Sequence, residues 1–132
     1  MKYIIDTHIL LWLIFDPERI DVNKLELLKN PKNAVYVSNI SFWEIALKYG
    51  LRKLELEGLN PDDLPDVAKK MGIEPHNIDT KSMSSVYKLP KMVGHKDPFD
   101  RLIINDCILH GYTLVSYDSK FKQYESIGLK TL

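Results

Sequence analysis

The sequence predicts an α/β fold: one domain with a mostly parallel central sheet of about four to five short strands and helices on both faces. Short β-rich runs alternate with longer helical runs, and such alternation requires crossovers between parallel strands. The 132 residues suit a single domain over residues 1–132. Hydrophobic residues make up 45% of the chain and charged residues 27%, which is typical of a globular protein.

The first half of the chain is predicted to fold as two strands, each followed by helical segments. Asp6 stops the first strand, and the helix after it ends at Asp16 because a residue before proline disfavours the helical backbone. The elements are, in order, strand Lys2–Ile5, helices Thr7–Phe15 and Val22–Lys29, strand Ala34–Val37 ending at Ser38, and a helix that opens at Ser41 and runs to about Leu51.

The second half is predicted to contain three helices and three short strands. Pro61 opens the first of these helices, and Gly111 ends the last as a C-terminal glycine. The elements are a helix from Pro61 to Met71, a short strand in the stretch from Ile73 to Ile78 that is assigned to Asn77–Asp79, helices Thr80–Tyr87 and Pro98–His110, strand Thr113–Tyr117, a short helical turn Ser119–Gln123 and an edge strand Leu129–Thr131.

Charge, cysteine content and hydropathy restrict the function classes only in part. Eighteen basic and eighteen acidic side chains cancel, so net charge carries no signature of nucleic-acid binding, although a local basic rim remains compatible with it. A lone cysteine, Cys107, excludes an intrachain disulfide, suits a cytoplasmic protein and is expected in the core. The apolar run from Ile9 to Phe15 is too short for a bilayer, which takes about 20 residues, and Asp6 interrupts any signal-peptide pattern.

One helix start carries two carboxylates. Asp97 suits the N-cap, and Pro98 suits the first helical position because its missing N–H would be unpaired there anyway. Asp100 falls at the third helical position, where it can complete a capping box. By itself this pattern describes a stable helix start. Three other carboxylates also lie where an element begins or ends, namely Asp6, Glu44 and Asp118.

These four carboxylates are expected to meet at one edge of the sheet. Asp6 and Asp118 each follow a strand directly, so they project from the carboxyl ends of parallel strands, where α/β proteins bind ligands. The helix of Asp100 must begin near that edge to lead back into the next strand. Glu44 follows the second strand by a few residues and lies near it too.

Each acid also has a structural alternative. Asp6 and Asp118 can cap the helical segments that follow them. Glu44 can complete a capping box with Ser41 or pair with Lys48 one turn on. Capping and metal binding are compatible roles for one side chain.

A cluster of this kind favours a hard divalent cation. Carboxylates within about 4–6 Å of one another repel, and one of them stays protonated unless a cation is present. Oxygen ligands suit Mg²⁺ or Mn²⁺, whereas zinc prefers histidine and cysteine. A dication with open positions for water can polarise a phosphate and lower the pKa of the attacking water. The pattern therefore predicts a site for phosphodiester hydrolysis.

Four segments in a fixed order carry a family resemblance: Asp6 to Trp12, Ser38 to Lys48, His95 to Ile104 and Ser116 to Phe121. Together they resemble the PIN-domain ribonucleases, in particular the VapC-type toxins of prokaryotic toxin–antitoxin systems. The similarity extends over nearly the whole chain. It implies a Mg²⁺- or Mn²⁺-dependent endoribonuclease that hydrolyses RNA phosphodiesters with metal-activated water.

The resemblance also implies roles for single residues. The family's metal-coordinating acidic quartet falls on Asp6, Glu44, Asp100 and Asp118. Asp97 matches an acid common in the subgroup and is assigned a supporting role, as cap first and outer ligand second. Ser116 precedes the last acid and is expected to orient it or a metal water. The chain departs from the subgroup at Asn105-Asp106-Cys107, and Asp106, about 240° round the helix from Asp100, is expected to face solvent.

Five further side chains are candidates for contact with the substrate. His8 and His95 lie in two of the segments that carry the acids. Lys48 and Arg52 follow Glu44 by one and two turns on a single helix face. A solvated helix face or a local hydrogen bond is the alternative for each. The five candidates are His8, Lys48, Arg52, His95 and Arg101.

The implied partners are an RNA substrate, a cognate antitoxin and a second copy of the chain in a homodimer. No membrane contact is expected, and operator DNA binding would belong to the antitoxin because no segment here is a candidate for it. Two alternatives stay open. One is a catalytically silent PIN-fold module that binds RNA or protein, and the other is a metal-dependent nuclease with no toxin role.

Overall fold

Five parallel strands form a single sheet. They are β1 (Lys2–Ile5), β2 (Ala34–Ser38), β3 (Ile73–His76), β4 (Thr113–Val115) and β5 (Lys130–Thr131). Their order across the sheet is β3-β2-β1-β4-β5, and every neighbouring pair is parallel. The computed structural model describes all residues, 1–132, and confirms the predicted parallel α/β sheet.

Six α-helices join the strands: α1 (Thr7–Phe15), α2 (Val22–Lys29), α3 (Asn39–Gly50), α4 (Leu64–Lys70), α5 (Thr80–Ser84) and α6 (Pro98–His110). Shorter 3₁₀ segments lie at Pro17–Arg19, Pro61–Asp63 and Val86–Lys88, with a longer one at Ser119–Ile127. No helix combines the length and the apolar composition that crossing a membrane requires.

The core lies on both faces of the sheet because successive strand residues point to opposite sides. Tyr3 and Ile5 pack on one side with α1, α3 and α4. Ile4 packs on the other side with α6 and the Ser119–Ile127 segment. The helices therefore cover both faces, as predicted. Cys107 lies in the second cluster at 1% exposure, which confirms it as a core residue.

The third strand lies in the predicted stretch from Ile73 to Ile78, but its assignment to Asn77–Asp79 is wrong. The structure forms it at Ile73–His76, with Val35 of β2 opposite Ile73, and leaves Asn77–Asp79 outside the sheet. The proline at position 75 argues against a central strand, but β3 is an edge strand, where a missing N–H is tolerated. Asp79 instead caps α5 and accepts the Ser82 N–H at 2.7 Å.

The start of α3 also differs from the prediction. Ser38 is the N-cap and accepts the Ile40 N–H at 3.2 Å, so the helix begins at Asn39. Ser41 therefore lies inside the helix, and its predicted capping box with Glu44 is wrong. The predicted start of α6 is correct, because Asp97 accepts the Asp100 N–H at 3.0 Å.

Candidate metal centre

The candidate site lies at the carboxyl edge of the sheet. Asp6 follows β1 directly and begins α1, while Glu44 lies in α3, the helix that follows β2. Asp100 lies in the first turn of α6, and Asp118 begins the 3₁₀ segment after β4. The parallel topology thus brings all four to the same end of the sheet.

Asp6 and Asp118 are joined through Ser116. Asp6 is 4% exposed; one of its oxygens accepts the Ile9 N–H at 2.8 Å and the other accepts the Ser116 hydroxyl at 2.5 Å. The Ser116 oxygen in turn accepts the Asp118 N–H at 3.0 Å. A single hydroxyl therefore fixes the first and last acids of the predicted quartet against each other. Asp118 also accepts the Lys120 N–H at 2.9 Å, so both acids cap a helical segment as well.

Glu44 is 3% exposed and has a partner on each oxygen. Thr7 donates its hydroxyl to one oxygen at 2.7 Å, and the Lys48 ammonium donates to the other at 2.5 Å. The anticipated Glu44–Lys48 pair is therefore present. Burial alone would lower the pKa of Lys48, but the hydrogen bond and charge of Glu44 outweigh it and raise that pKa.

The four predicted acids, together with Asp97, share one electrostatic environment around Asp100. Burial, followed by the charges of Asp97, Glu44, Asp6 and Asp118, raises the pKa of Asp100 to about 8. Burial also raises the pKa of Asp6. No three of these carboxylates have oxygens all within 4.8 Å of one another. The site concentrates negative charge without bringing the groups into contact.

The donor chemistry of this site fits a hard divalent cation. Asp6, Glu44, Asp100 and Asp118 offer carboxylate oxygens only, the ligands that Mg²⁺ and Mn²⁺ prefer. Asp100 keeps its proton above neutral pH because of its burial and of the neighbouring carboxylates, and such a group is one that a cation would ionise.

His95 is a buried partner of Asp100, and its predicted contact with the substrate stays a prediction. It is 4% exposed, with Nδ1 at 2.7 Å from the Tyr124 hydroxyl and Nε2 at 3.3 Å from Asp100. Arg101 donates to the same hydroxyl at 3.1 Å. Because a guanidinium only donates, all partners are satisfied when Tyr124 donates to Nδ1 and Nε2–H donates to Asp100. Burial lowers the pKa of His95, in keeping with this neutral form.

Arg101 does not pair with a carboxylate. It also donates to the backbone carbonyls of Leu89 and Pro90, at 2.7 and 3.0 Å. Its guanidinium therefore holds the loop that leads into α6, and its predicted contact with the substrate stays a prediction.

His8 and Arg52 are both exposed, but only His8 stays near the acids. The charge of His8 favours the ionised form of Asp6, which places the imidazole beside the site. The prediction that Glu44, Lys48 and Arg52 share one helix face is wrong for Arg52 because α3 ends at Gly50. Arg52 has a left-handed backbone with φ of 58°, so it does not continue the face of Glu44 and Lys48.

Asp106 is buried, contrary to prediction. It is 1% exposed, and its oxygens lie 2.7 Å from Nε2 of His76 and 3.0 Å from the Ser82 hydroxyl. The helical angle from Asp100 predicts that Asp106 faces away from the acids, but α5 and β3 cover that side of α6. Asp106 therefore belongs to a separate polar cluster.

Sequence reasoning missed several residues around the site. Thr7, the partner of Glu44, could have been suspected because it follows Asp6 in the first turn of α1. Tyr124 gave no signal, because its contact with His95 depends on how the last 3₁₀ segment packs. Lys24 and Lys122 line a cleft beside Ser116 and Asp118; Lys122 follows Asp118 by four residues, whereas Lys24 lies far in sequence from all four acids.

Comparison with known proteins gives the family. The model of the PIN domain family matches residues 3–127. Among solved structures, VapBC2 from Rickettsia felis bound to a DNA fragment from its promoter is 24% identical, with a TM-score of 0.71 over 100% of this chain and 98% of that chain. VapBC-1 from nontypeable Haemophilus influenzae is 17% identical, with a TM-score of 0.68 over 100% and 97%.

The PIN domain endonuclease Utp24 is 20% identical, with a TM-score of 0.55 over 99% of this chain and 83% of that chain. At such identities the likeness is one of fold. No curated protein matches the sequence. The family match nevertheless covers nearly the whole chain and includes all four acids of the predicted quartet. The chain therefore belongs to the PIN domain family, with the fold found in VapBC complexes.

Proposed function

We propose that the protein is a Mg²⁺- or Mn²⁺-dependent endoribonuclease, the VapC-like toxin of a toxin–antitoxin module. The convergence of four carboxylates at the carboxyl edge of the sheet carries this proposal, because a PIN-domain chain needs such a site to hydrolyse phosphodiesters. The metal-holding residues would be Asp6, Glu44, Asp100 and Asp118.

The bound cation would polarise the scissile phosphate and lower the pKa of the attacking water. The chain's own residues orient the acids that hold it. Ser116 donates a hydrogen bond to one oxygen of Asp6, and His95 donates one to Asp100. The two oxygens of Glu44 accept hydrogen bonds from Thr7 and Lys48. Asp97 acts mainly as the cap of α6 and sets where Asp100 points.

The substrate contacts follow from charge. Lys24 and Lys122 line the cleft beside Asp118, so a phosphodiester backbone leaving the acidic centre would meet two ammonium groups there. His8 is exposed next to Asp6 and would be a further contact for a phosphate. Lys48 pairs with Glu44, and since an ammonium has three N–H donors it could contact a phosphate while it keeps this pair.

An apolar surface beside the site supports an antitoxin partner. Trp43 is 58% exposed next to Glu44 and packs edge-on against Phe99, with ring centroids 5.1 Å apart. Leu47 and Leu51 extend this surface at 41% and 57% exposure. A peptide laid over it would pass beside the carboxylates. We assign operator binding to that partner and propose a cytoplasmic, single-domain toxin over residues 1–132 that forms homodimers.

Cleavage of RNA by the purified chain tests the proposal. A structured RNA, an unstructured RNA and a DNA strand of matching sequence are each incubated with Mg²⁺, Mn²⁺ or EDTA. We expect metal-dependent cleavage of RNA that is lost in Asp6→Asn and kept in Asp62→Asn, an exposed acid outside the site.

Other outcomes would point elsewhere. Cleavage of DNA at an equal rate would favour a general nuclease. A folded protein that binds Mg²⁺ but cleaves none of these nucleic acids would favour a narrow substrate, and one that binds no metal would favour the silent module.

A further inference from the structure

A second polar cluster lies between α5, α6 and the end of β3. It contains two aspartates and two histidines that the nuclease proposal does not use, together with Ser82. Asp106 lies six residues after Asp100, about 9 Å further along α6. The cluster consists of His76, Asp79, Ser82, Asp106 and His110.

Three ligand atoms of this cluster converge. Nε2 of His110 is 3.0 Å from Oδ2 of Asp79 and 3.6 Å from Oδ1 of Asp106, and all three atoms lie within 4.8 Å of one another. Zinc binds imidazole nitrogen and carboxylate oxygen at about 2.0–2.2 Å, which puts neighbouring tetrahedral ligands about 3.3 Å apart. The two shorter separations bracket that value.

We propose that Asp79, Asp106 and His110 form a binding site for a zinc-like transition-metal ion, separate from the acidic quartet. Mixed imidazole and carboxylate donors suit zinc and its neighbours, whereas the all-carboxylate site suits Mg²⁺ or Mn²⁺. The two sites thus select different ions by the chemistry of their donors.

The surroundings hold these ligands in place. His76 donates a hydrogen bond to Oδ2 of Asp106 at 2.7 Å, and the other oxygen, Oδ1, lies 3.6 Å from Nε2 of His110. A hydrogen bond of this kind to a ligand carboxylate is a common support of metal sites. Tyr112 stacks on the His110 ring and packs edge-on against the His76 ring, at centroid distances of 5.4 and 5.1 Å. Both imidazoles are therefore oriented before any ion arrives.

The cluster is also accessible from one side. The side chain of Asp106 is 2% exposed, while those of Asp79 and His110 are 49% and 37% exposed. An ion can enter past the two exposed ligands and keep a water in its fourth position. Without an ion, Nε2–H of His110 donates to Asp79, so the metal competes with a hydrogen bond that already ties α5 to α6.

Zinc binding is tested in a chain that lacks two of the quartet's four carboxylates. The Asp6→Asn/Asp100→Asn double variant is titrated with Zn²⁺ by calorimetry, and zinc retained after dialysis is counted per chain. We expect about one ion per chain and a rise in Tm on zinc addition, because only the folded state assembles the three ligands.

Variants in the same background assign the ligands. His110→Ala, at an exposed position, should fold and lose at least tenfold in zinc affinity; His76→Ala should lose about 10–100-fold because it frees Asp106. His8→Ala, which removes an exposed histidine outside the cluster, should bind as the parent does. Parent-like affinity in folded His110→Ala, or no retained zinc in the folded parent, would overturn this proposal and leave the nuclease proposal untouched.

Discussion

Ser116 donates its hydroxyl hydrogen to Asp6 across 110 positions of sequence, and its oxygen receives the Asp118 N–H at 3.0 Å. The end of β4 and the end of β1 are thereby joined at the point where both acids emerge. The geometry of the acidic centre depends on this hydroxyl as much as on the carboxylates.

Ser116→Ala should therefore reduce both stability and cleavage. Removing a hydrogen bond to a charged group costs about 1.5–3 kcal/mol in unfolding free energy. Loss of a group that orients a metal ligand lowers activity about 10–100-fold. Urea unfolding and initial cleavage rates measure the two effects. Ser126→Ala, which removes an exposed hydroxyl bonded to a backbone carbonyl, should change neither; equal behaviour of the two variants would contradict the assignment.

Asp100 makes the stability of the metal-free protein depend on pH. Its pKa is raised from 3.8 to about 8, so the folded state holds a proton that the unfolded chain has lost. This contribution to stability is complete below about pH 4 and is lost as the pH rises towards 8. We expect the Tm without metal to fall across that range in the wild type and to fall less in Asp100→Asn.

The same pKa predicts that Mg²⁺ binding releases a proton at pH 7, because a ligand carboxyl must ionise. Calorimetry in two buffers of different ionisation enthalpy measures this release. The Asp100→Asn variant should be inactive, should release fewer protons on Mg²⁺ binding than the wild type, and should be more stable than the wild type near pH 8. A wild-type cleavage rate in this variant, or parallel Tm curves, would remove Asp100 from the quartet.

Asp97 can be tested with a pair of substitutions. Asp97→Ala removes the cap of α6 and should cost about 0.5–2 kcal/mol in unfolding free energy, whereas Asp97→Asn keeps the cap because asparagine is an equally good N-cap. Thermal unfolding and cleavage are measured for both. If the asparagine variant is as stable as the wild type but inactive, Asp97 is a metal ligand and not a support.

Tyr124→Phe tests the buried chain of hydrogen bonds behind Asp100. The Tyr124 hydroxyl accepts a hydrogen bond from Arg101 and donates one to Nδ1 of His95. Its loss would leave this buried imidazole nitrogen unpaired, which costs about 1–3 kcal/mol in unfolding free energy. We expect kcat to fall more than KM rises, since Asp100 loses its oriented partner. A change in stability with unaltered kcat would show that the network holds only the loop before α6.

The helices α1, α2 and α6 could be predicted from sequence because proline, glycine and capping residues mark their ends locally. The four acids could be found for a related reason, since each lies at an element boundary of a parallel sheet. β3 was misplaced because Pro75 argues against a strand unless the strand is known to be at an edge.

The roles of Asp106 and His95 depended on tertiary contacts. Helical periodicity predicts on which face of α6 Asp106 lies, but it does not show that α5 and β3 cover that face. His95 was correctly placed beside the acids, yet its burial depends on Tyr124, which arrives from the end of the chain. The network behind the site therefore could not be read from local patterns.

Asp6 and Asp118 each use one oxygen to cap a helical segment. Asparagine can supply the same cap without the charge. On the proposed function, a cell under pressure to escape the toxin could therefore acquire Asp-to-Asn changes that silence it without unfolding it. Such alleles would encode folded, inactive proteins that still bind the antitoxin.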